Sequence, residues 1–181
     1  YRAGGVNNIG SLRSIRVMRG SNCIADLDVY DYILKGKLLD DIRLMEGDVI
    51  IVPPYEKLVD ISGKVKRPMY YEMKKNETLA TLIKYAGGFS GDAYTKGVRL
   101  VRQSGREYKL FNIDEMDYSV FHLDDGDAVT VGSILDRFEN RVEVRGAVYR
   151  SGMYELSGNM NTVKQLIQKA VEDGIDTIVT C

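Results

Sequence analysis

The fold is decided by Val59-Asp60-Ile61-Ser62-Gly63-Lys64-Val65-Lys66-Arg67-Pro68-Met69-Tyr70-Tyr71-Glu72-Met73. Asn76-Glu77-Thr78-Leu79-Ala80-Thr81-Leu82-Ile83-Lys84-Tyr85-Ala86-Gly87-Gly88 follows, and Asp124-Asp125-Gly126-Asp127-Ala128-Val129-Thr130-Val131 closes the stretch. Val59, Ile61 and Val65 share one strand face with Gly63, and Asp60, Ser62 and Lys64 share the other. Arg67-Pro68-Met69-Tyr70 reads as a turn in which Pro68 presets φ. Met69 disfavours a positive φ, which selects a type I geometry. Tyr71 and Met73 continue the apolar face. Leu79, Leu82, Ile83 and Ala86 then fall on one helical stripe, with Asn76 as N-cap and Gly87 ending the helix before Gly88. Strands are expected near Val98–Arg102, Glu107–Ile113 and Ala128–Val131, the last entered through a turn at Gly126 and Asp127.

Both flanks repeat parts of this stretch. Ala3-Gly4-Gly5 recurs as Ala86-Gly87-Gly88, 86 − 3 = 83 positions on, and Arg16 and Arg19 recur as Arg99 and Arg102 at the same offset. Glu46-Gly47-Asp48-Val49 recurs as Asp125-Gly126-Asp127-Ala128, 126 − 47 = 79 positions on. Val59-Asp60-Ile61-Ser62-Gly63 recurs as Val142-Glu143-Val144-Arg145-Gly146, 142 − 59 = 83 positions on, with Ser151-Gly152 replacing the proline turn. The repeating unit is roughly 75–80 residues, the size of a small domain.

Four segments result. Residues 1–52 read as the second half of a module, with strands at Ile15–Arg19 and around Ile24–Val29, a helical turn at Tyr30–Leu34 ended by Gly36, and a buried strand at Val49–Val52. Residues 57–132 are a complete module. Residues 141–170 are the first half of a third, with Asn161 as helix cap and Val163, Leu166, Ile167 and Ala170 as the stripe. Residues 171–181 are an atypical tail. A hairpin, a helix on one sheet face and further strands make the β-grasp arrangement, an α+β class. The architecture expected is a tandem of β-grasp modules, one complete and two partial. Residues 142–170 are expected to complete residues 3–52, within the chain or between chains, through contacts of the 163–170 helix with the 49–52 strand.

Composition narrows the chemistry. The chain has 181 residues, 44% hydrophobic and 28% charged, as in a globular protein. A net charge of −1 supplies no field for nucleic acid, and no apolar run is long enough to span a membrane. The chain does not open on an initiator or a signal peptide, so a longer precursor is expected. Cys23 and Cys181 form no metal-binding spacing, and His122 is the one histidine. No metal and no cofactor is expected. Asp40 and Asp41, and Asp124, Asp125 and Asp127, cluster at turns, where Asp and Gly are favoured for backbone reasons. The Gly-Gly pairs follow helices, whereas a phosphate loop precedes one. Nothing constitutes a catalytic set.

Twelve tyrosines suit saccharide contact, since tyrosine offers both a ring face and a hydroxyl. Lys66, Arg67 and Tyr70 surround one hairpin, and Tyr149, Arg150 and Tyr154 its repeat. Arg99 and Arg102, like Arg16 and Arg19, recur on a strand that could meet an acidic polymer. The plainer reading is that Tyr71 and Tyr154 are core and the others are edge or subunit contacts. The structural positions are Gly63, Pro68, Asn76, Gly87, Gly88, Gly126, Asp127, Gly146 and Gly152.

The segments Asp28-Val-Tyr-Asp-Tyr-Ile-Leu-Lys-Gly36 and Asp40-Asp-Ile-Arg-Leu-Met-Glu-Gly-Asp-Val-Ile-Ile-Val-Pro-Pro54 resemble a known family. So do Val59–Met73 and Glu77–Gly88. The family is the SLBB (soluble-ligand-binding β-grasp) repeats of Wza-like bacterial polysaccharide export proteins, and the resemblance covers about residues 3–170. It implies a non-enzymatic component of a periplasmic ring or tube, often octameric, that carries capsule or exopolysaccharide to the outer membrane. It also implies an inner-membrane polysaccharide co-polymerase as partner, and attachment to the outer membrane through parts outside this chain. The family's Pro-Gly turn is split here between Pro68 and Gly152. The last twelve residues weakly resemble a helix–strand step of PHP-type phosphatases, without a metal-binding histidine. Two other readings are a discrete carbohydrate-binding module and a β-grasp adapter of another complex.

Overall fold

The computed structural model describes residues 4–37, 42–148, 150–158 and 162–172. The chain divides into two compact units, residues 1–134 and residues 135–181.

The first unit holds two sheets. The larger orders its strands β5-β4-β8-β6-β7, from β4 (Leu58–Gly63), β5 (Met69–Glu72), β6 (Gly97–Ser104), β7 (Glu107–Asp114) and β8 (Ala128–Val131). β4 and β8 run parallel at its centre, with Asp60 opposite Ala128 and Gly63 opposite Val131. The other pairings are antiparallel. Helix α2 (Leu79–Tyr85) covers one face. Leu79, Leu82, Ile83 and Ala86 of its stripe are all buried, in one cluster with Val59, Ile61, Tyr71, Met73, Leu100 and Val129. This arrangement is compatible with the β-grasp expectation of a hairpin, a helix on one sheet face and further strands.

Two local expectations are corrected. The helix starts at Leu79 with Thr78 as N-cap and no side-chain cap bond, so Asn76 lies ahead of it. The first helical N–H groups need no capping side chain, because Leu79 donates to the Phe121 carbonyl at 3.0 Å and Ala80 to that of Tyr118 at 2.8 Å. No tight turn forms at Arg67–Tyr70. The connection runs through residues 64–68, Val65 bridges Phe89, and Pro68 stands just before β5, where a missing donor costs nothing. Gly87 and Gly88 end the helix at φ +79° and +86°. Gly63 ends β4 at φ +84°, and a Cβ there would lie 2.2 Å from the Val131 carbonyl oxygen. The parallel pairing of β4 with β8 therefore requires glycine.

The smaller sheet, β2-β1-β3, comes from β1 (Ile15–Arg19), β2 (Asn22–Leu27) and β3 (Asp48–Ile51). Its β1–β3 pairing repeats that of β6 with β8 in register, whereas β1 and β2 shift register between Val17 and Met18. Val17 opposes Ile50 as Leu100 opposes Val129, and Met18 opposes Val49 as Val101 opposes Ala128. The backbone agrees too: Ser11 N–H donates to the Pro53 carbonyl at 2.7 Å, as Tyr94 does to Gly132 at 2.9 Å. Helix α1 (Val29–Lys35) starts at Asp28 and ends on Gly36, in the left-handed region.

β3 departs from expectation. Ile50 is 53% exposed, whereas its counterpart Val129 is fully buried. β8 lies between β4 and β6, with the helix above it. Among the described residues β3 has a strand on one side only, and its apolar residues are open.

The second unit contains the hairpin β9 (Arg141–Val144) and β10 (Gly152–Glu155), with helix α3 (Val163–Glu172). Its register, Val142 with Tyr154 and Val144 with Gly152, is that of Val59 with Tyr71 and Ile61 with Met69. Tyr154 Oη donates to the Arg150 carbonyl as Tyr71 Oη does to that of Arg67. Gly146 has φ +114° and Gly152 φ +156°, both open to glycine. Val163 is exposed. Tyr149, Asn161, the Asp40–Asp41 pair and most of the 171–181 tail lie outside the described residues.

Candidate functional site

The arginines expected as ligand contacts separate into two kinds. Arg102 is held. Its Nε donates to Asp127 Oδ1 at 2.8 Å and its Nη2 to Oδ2 at 2.7 Å. Nη2 also donates to the His122 carbonyl at 3.0 Å, and the Asp124 N–H donates to Asp127 Oδ2 at 2.8 Å. The same clasp closes the smaller sheet: Arg19 meets both Asp48 oxygens at 2.8 Å and the Arg43 carbonyl at 3.2 Å, and the Met45 N–H donates to Asp48 Oδ2 at 2.8 Å. The hydrogen bond from Arg19 and that from Met45 hold the Asp48 carboxyl down to about 2. The carboxylate of each Gly-Asp turn ties the turn to the arginine of the adjacent strand. This explains why both residues recur, and it leaves Arg102 in a structural position.

Arg99 is free. Its backbone is paired on both sides, but its side chain makes no ion pair or hydrogen bond among the described residues. It points from the sheet face opposite α2, because its neighbours Val98 and Leu100 are buried under the helix. Across the strands it faces Asn112 and Thr130. The depression around it holds about 360 Å³ and is rimmed by Tyr94, Asp114 and Ser133. At its end Lys96 pairs with Glu115 at 2.8 Å. Nearby, burial and the acidic neighbours Glu115 and Asp114 push the Tyr118 hydroxyl up to about 12.

Lys66, Arg67 and Tyr70 are exposed together around the β4–β5 connection. Arg67 Nη2 donates to the Tyr85 carbonyl at 3.1 Å. Arg67 and Tyr70 border a more apolar cleft of about 350 Å³ against Tyr30, Ile33 and Val6. Pairing along the sheet puts Tyr70 and Arg99 on the same outward face, with β4 and β8 between them. Arg150 is exposed in the second unit.

The sequence reading missed Arg13. It is 4% exposed and links the two sheets' segments. Its Nε meets Asp28 at 2.9 Å, its Nη1 and Nη2 meet Glu77 at 3.0 and 2.8 Å, and Nη1 also reaches the Glu72 carbonyl at 2.9 Å. Its guanidinium lies 4.4 Å from the Tyr30 ring centre. Beside it Glu72 accepts from Ser11 Oγ and from the Leu12 N–H at 2.8 Å. Burial alone would raise the Glu77 carboxyl, but hydrogen bonds from Arg13, Tyr85 and the Lys74 N–H outweigh it and hold the group below the usual range. No local pattern marks Arg13, because its partners come from residues 28, 72, 77 and 85. Among the described residues no cluster of His, Cys, Asp and Glu could hold a metal.

Family comparison places the central stretch. Residues 58–111, from β4 into β7, match the SLBB domain. Beyond it, the chain is similar to the polysialic acid transport protein KpsD of Escherichia coli, 26% identical over 157 residues. Two such relatives match equally, each covering 86% of this chain and 27% of the relative. The chain thus spans about a quarter of their length. No described helix is long and apolar enough to cross a membrane.

Proposed function

We propose that this chain is a non-enzymatic part of a bacterial polysaccharide export protein. Its SLBB modules pack into an oligomeric periplasmic ring that conducts capsule or exopolysaccharide to the outer membrane. The observation that carries this is the SLBB match at residues 58–111 within a similarity to a polysialic acid transport protein that runs over 86% of the chain. An inner-membrane polysaccharide co-polymerase is the partner such a conduit would meet. The modules are one complete (57–132) and two partial (1–52 and 141–170), a division supported by the shared strand registers.

The open face of β3 supports the assembly role. In the larger sheet, β8 is covered by parallel pairing with β4 and by helix α2; a hairpin and helix from another SLBB module laid on β3 would bury Ile50 and Val52 in the same way. In-frame deletion of this chain's coding segment in its host tests the function: surface polysaccharide falls while synthesis inside the cell continues. Unchanged surface polysaccharide overturns it. A discrete carbohydrate-binding module is the second reading, favoured by the depression at Arg99.

A further inference from the structure

The depression at Arg99 has a counterpart one repeat earlier. Tyr94, Lys96, Arg99, Asn112, Gly132 and Ser133 line it. Their equivalents, Ser11, Arg13, Arg16, Asp26, Pro53 and Pro54, line part of a second depression of about 530 Å³, which Glu56 and residues 72–76 also line. The bridge between Ala93 and Ser133 that edges the first is matched by the bridge between Gly10 and Pro54. The fold therefore builds this concavity twice, but the two differ in charge. Arg16 has the carboxylate of Asp26 as its cross-strand neighbour, and Arg13 is committed to Asp28 and Glu77. Arg99 has the neutral Asn112 there instead, and Lys96 is taken up by Glu115. Asp114 stands at the far end, opposite Gly97. The depression at Arg99 presents a guanidinium with no carboxylate directly across the strand from it, and a tyrosine lines the same depression.

We infer that the depression around Arg99 is a weak binding site for one carboxylate-bearing unit of a polysaccharide. Arg99 takes the carboxylate, Asn112, Thr130 and Asp114 take hydroxyls, and the Tyr94 ring borders the sugar. A guanidinium offers a carboxylate two parallel N–H donors, and amide, hydroxyl and carboxylate side chains match the mixed donors and acceptors of a sugar. An open, shallow site suits a polymer that must be released as it moves. The choice of ligand rests on the export reading.

Titration of the full chain with a short sialic acid oligomer, followed by amide chemical shifts, tests the site. A malto-oligosaccharide serves as the neutral comparison. Shifts should gather at Arg99, Asn112 and Thr130, with an affinity on the order of millimolar that weakens as salt rises. Arg99→Ala should weaken binding by about tenfold or more. Asn112→Asp, which puts a carboxylate across the strand from Arg99 as Asp26 stands across from Arg16, should do the same without disturbing the fold. Equal binding of the neutral oligomer overturns the inference. So do unchanged affinities in both variants, shifts gathered elsewhere, or no shifts at all. The export function is overturned separately, by unchanged surface polysaccharide after the deletion.

Discussion

Arg102 and Asp127 meet through two hydrogen bonds at 2.8 and 2.7 Å, and Arg19 and Asp48 make the same pair one repeat earlier. In both places the carboxylate also accepts the N–H three residues before it, so one aspartate closes the turn and ties it to the neighbouring strand. Asp127 is fully buried. Removing either partner leaves the other charge or the turn's N–H without its match. Arg102→Met should cost about 2–4 kcal/mol, less than a wholly buried pair because the guanidinium keeps some solvent. The urea midpoint of the full chain measures this, and a change below about 1 kcal/mol would contradict the clasp's role.

Gly63 and Gly126 both have positive φ, yet they should respond differently to alanine. At Gly126 a Cβ meets nothing within 4 Å, so only the backbone preference is lost, roughly 1–2 kcal/mol. At Gly63 the Cβ would strike the Val131 carbonyl at 2.2 Å, and β4 and β8 would have to part. Gly63→Ala should cost more than about 3 kcal/mol or prevent folding, and thermal melts of the two variants side by side decide it.

The Arg13 junction should weaken in acid. Glu77 is held below its ordinary value, as is Asp28: burial alone would raise the latter, but Arg13 and Lys74 outweigh it. A depressed carboxyl contributes stability that is complete above its unfolded value, about 4. It is lost as pH falls through the lower folded value. Stability should therefore decline below about pH 4.5. Glu77→Gln should be less stable at neutral pH by about 2 kcal/mol and should show a shallower acid decline. Chemical denaturation at stepped pH reads both, and an acid slope identical to the parent's would remove Glu77 from the account.

Ile50 and Val129 occupy the same register position in the two sheets. Val129→Ala empties part of a closed core and should cost about 2–3 kcal/mol. Ile50→Asp should leave the unfolding midpoint of a dilute sample within about 0.5 kcal/mol, because the side chain is open. If β3 is an assembly surface, the same change should abolish any growth of mass with concentration in light scattering. Undiminished association in Ile50→Asp would place the contact elsewhere.

Much of this was legible in the residues themselves. The alternation of Val59, Ile61 and Tyr71 and the stripe Leu79, Leu82, Ile83 and Ala86 predicted the buried faces, and the offsets predicted which segments would resemble one another. Local caps were less legible. Asn76 is a good capping residue, but carbonyls from Tyr118 and Phe121, some forty positions away, already satisfied the helix start. The candidate site was half legible: recurrence singled out Arg99 and Arg102 together and could not separate them.

Sequence by itself determined the periodicities, the glycines that permit left-handed turns and the recurring motifs, because each depends on neighbours within a few positions. Tertiary structure alone decided that Arg102 is clasped while Arg99 is free, that Arg13 is buried among residues from three elements, and that β3 stays open where β8 is closed. Charge compensation and burial depend on which distant segments meet in space, and a strand's residues carry no record of whether another strand lies beside it.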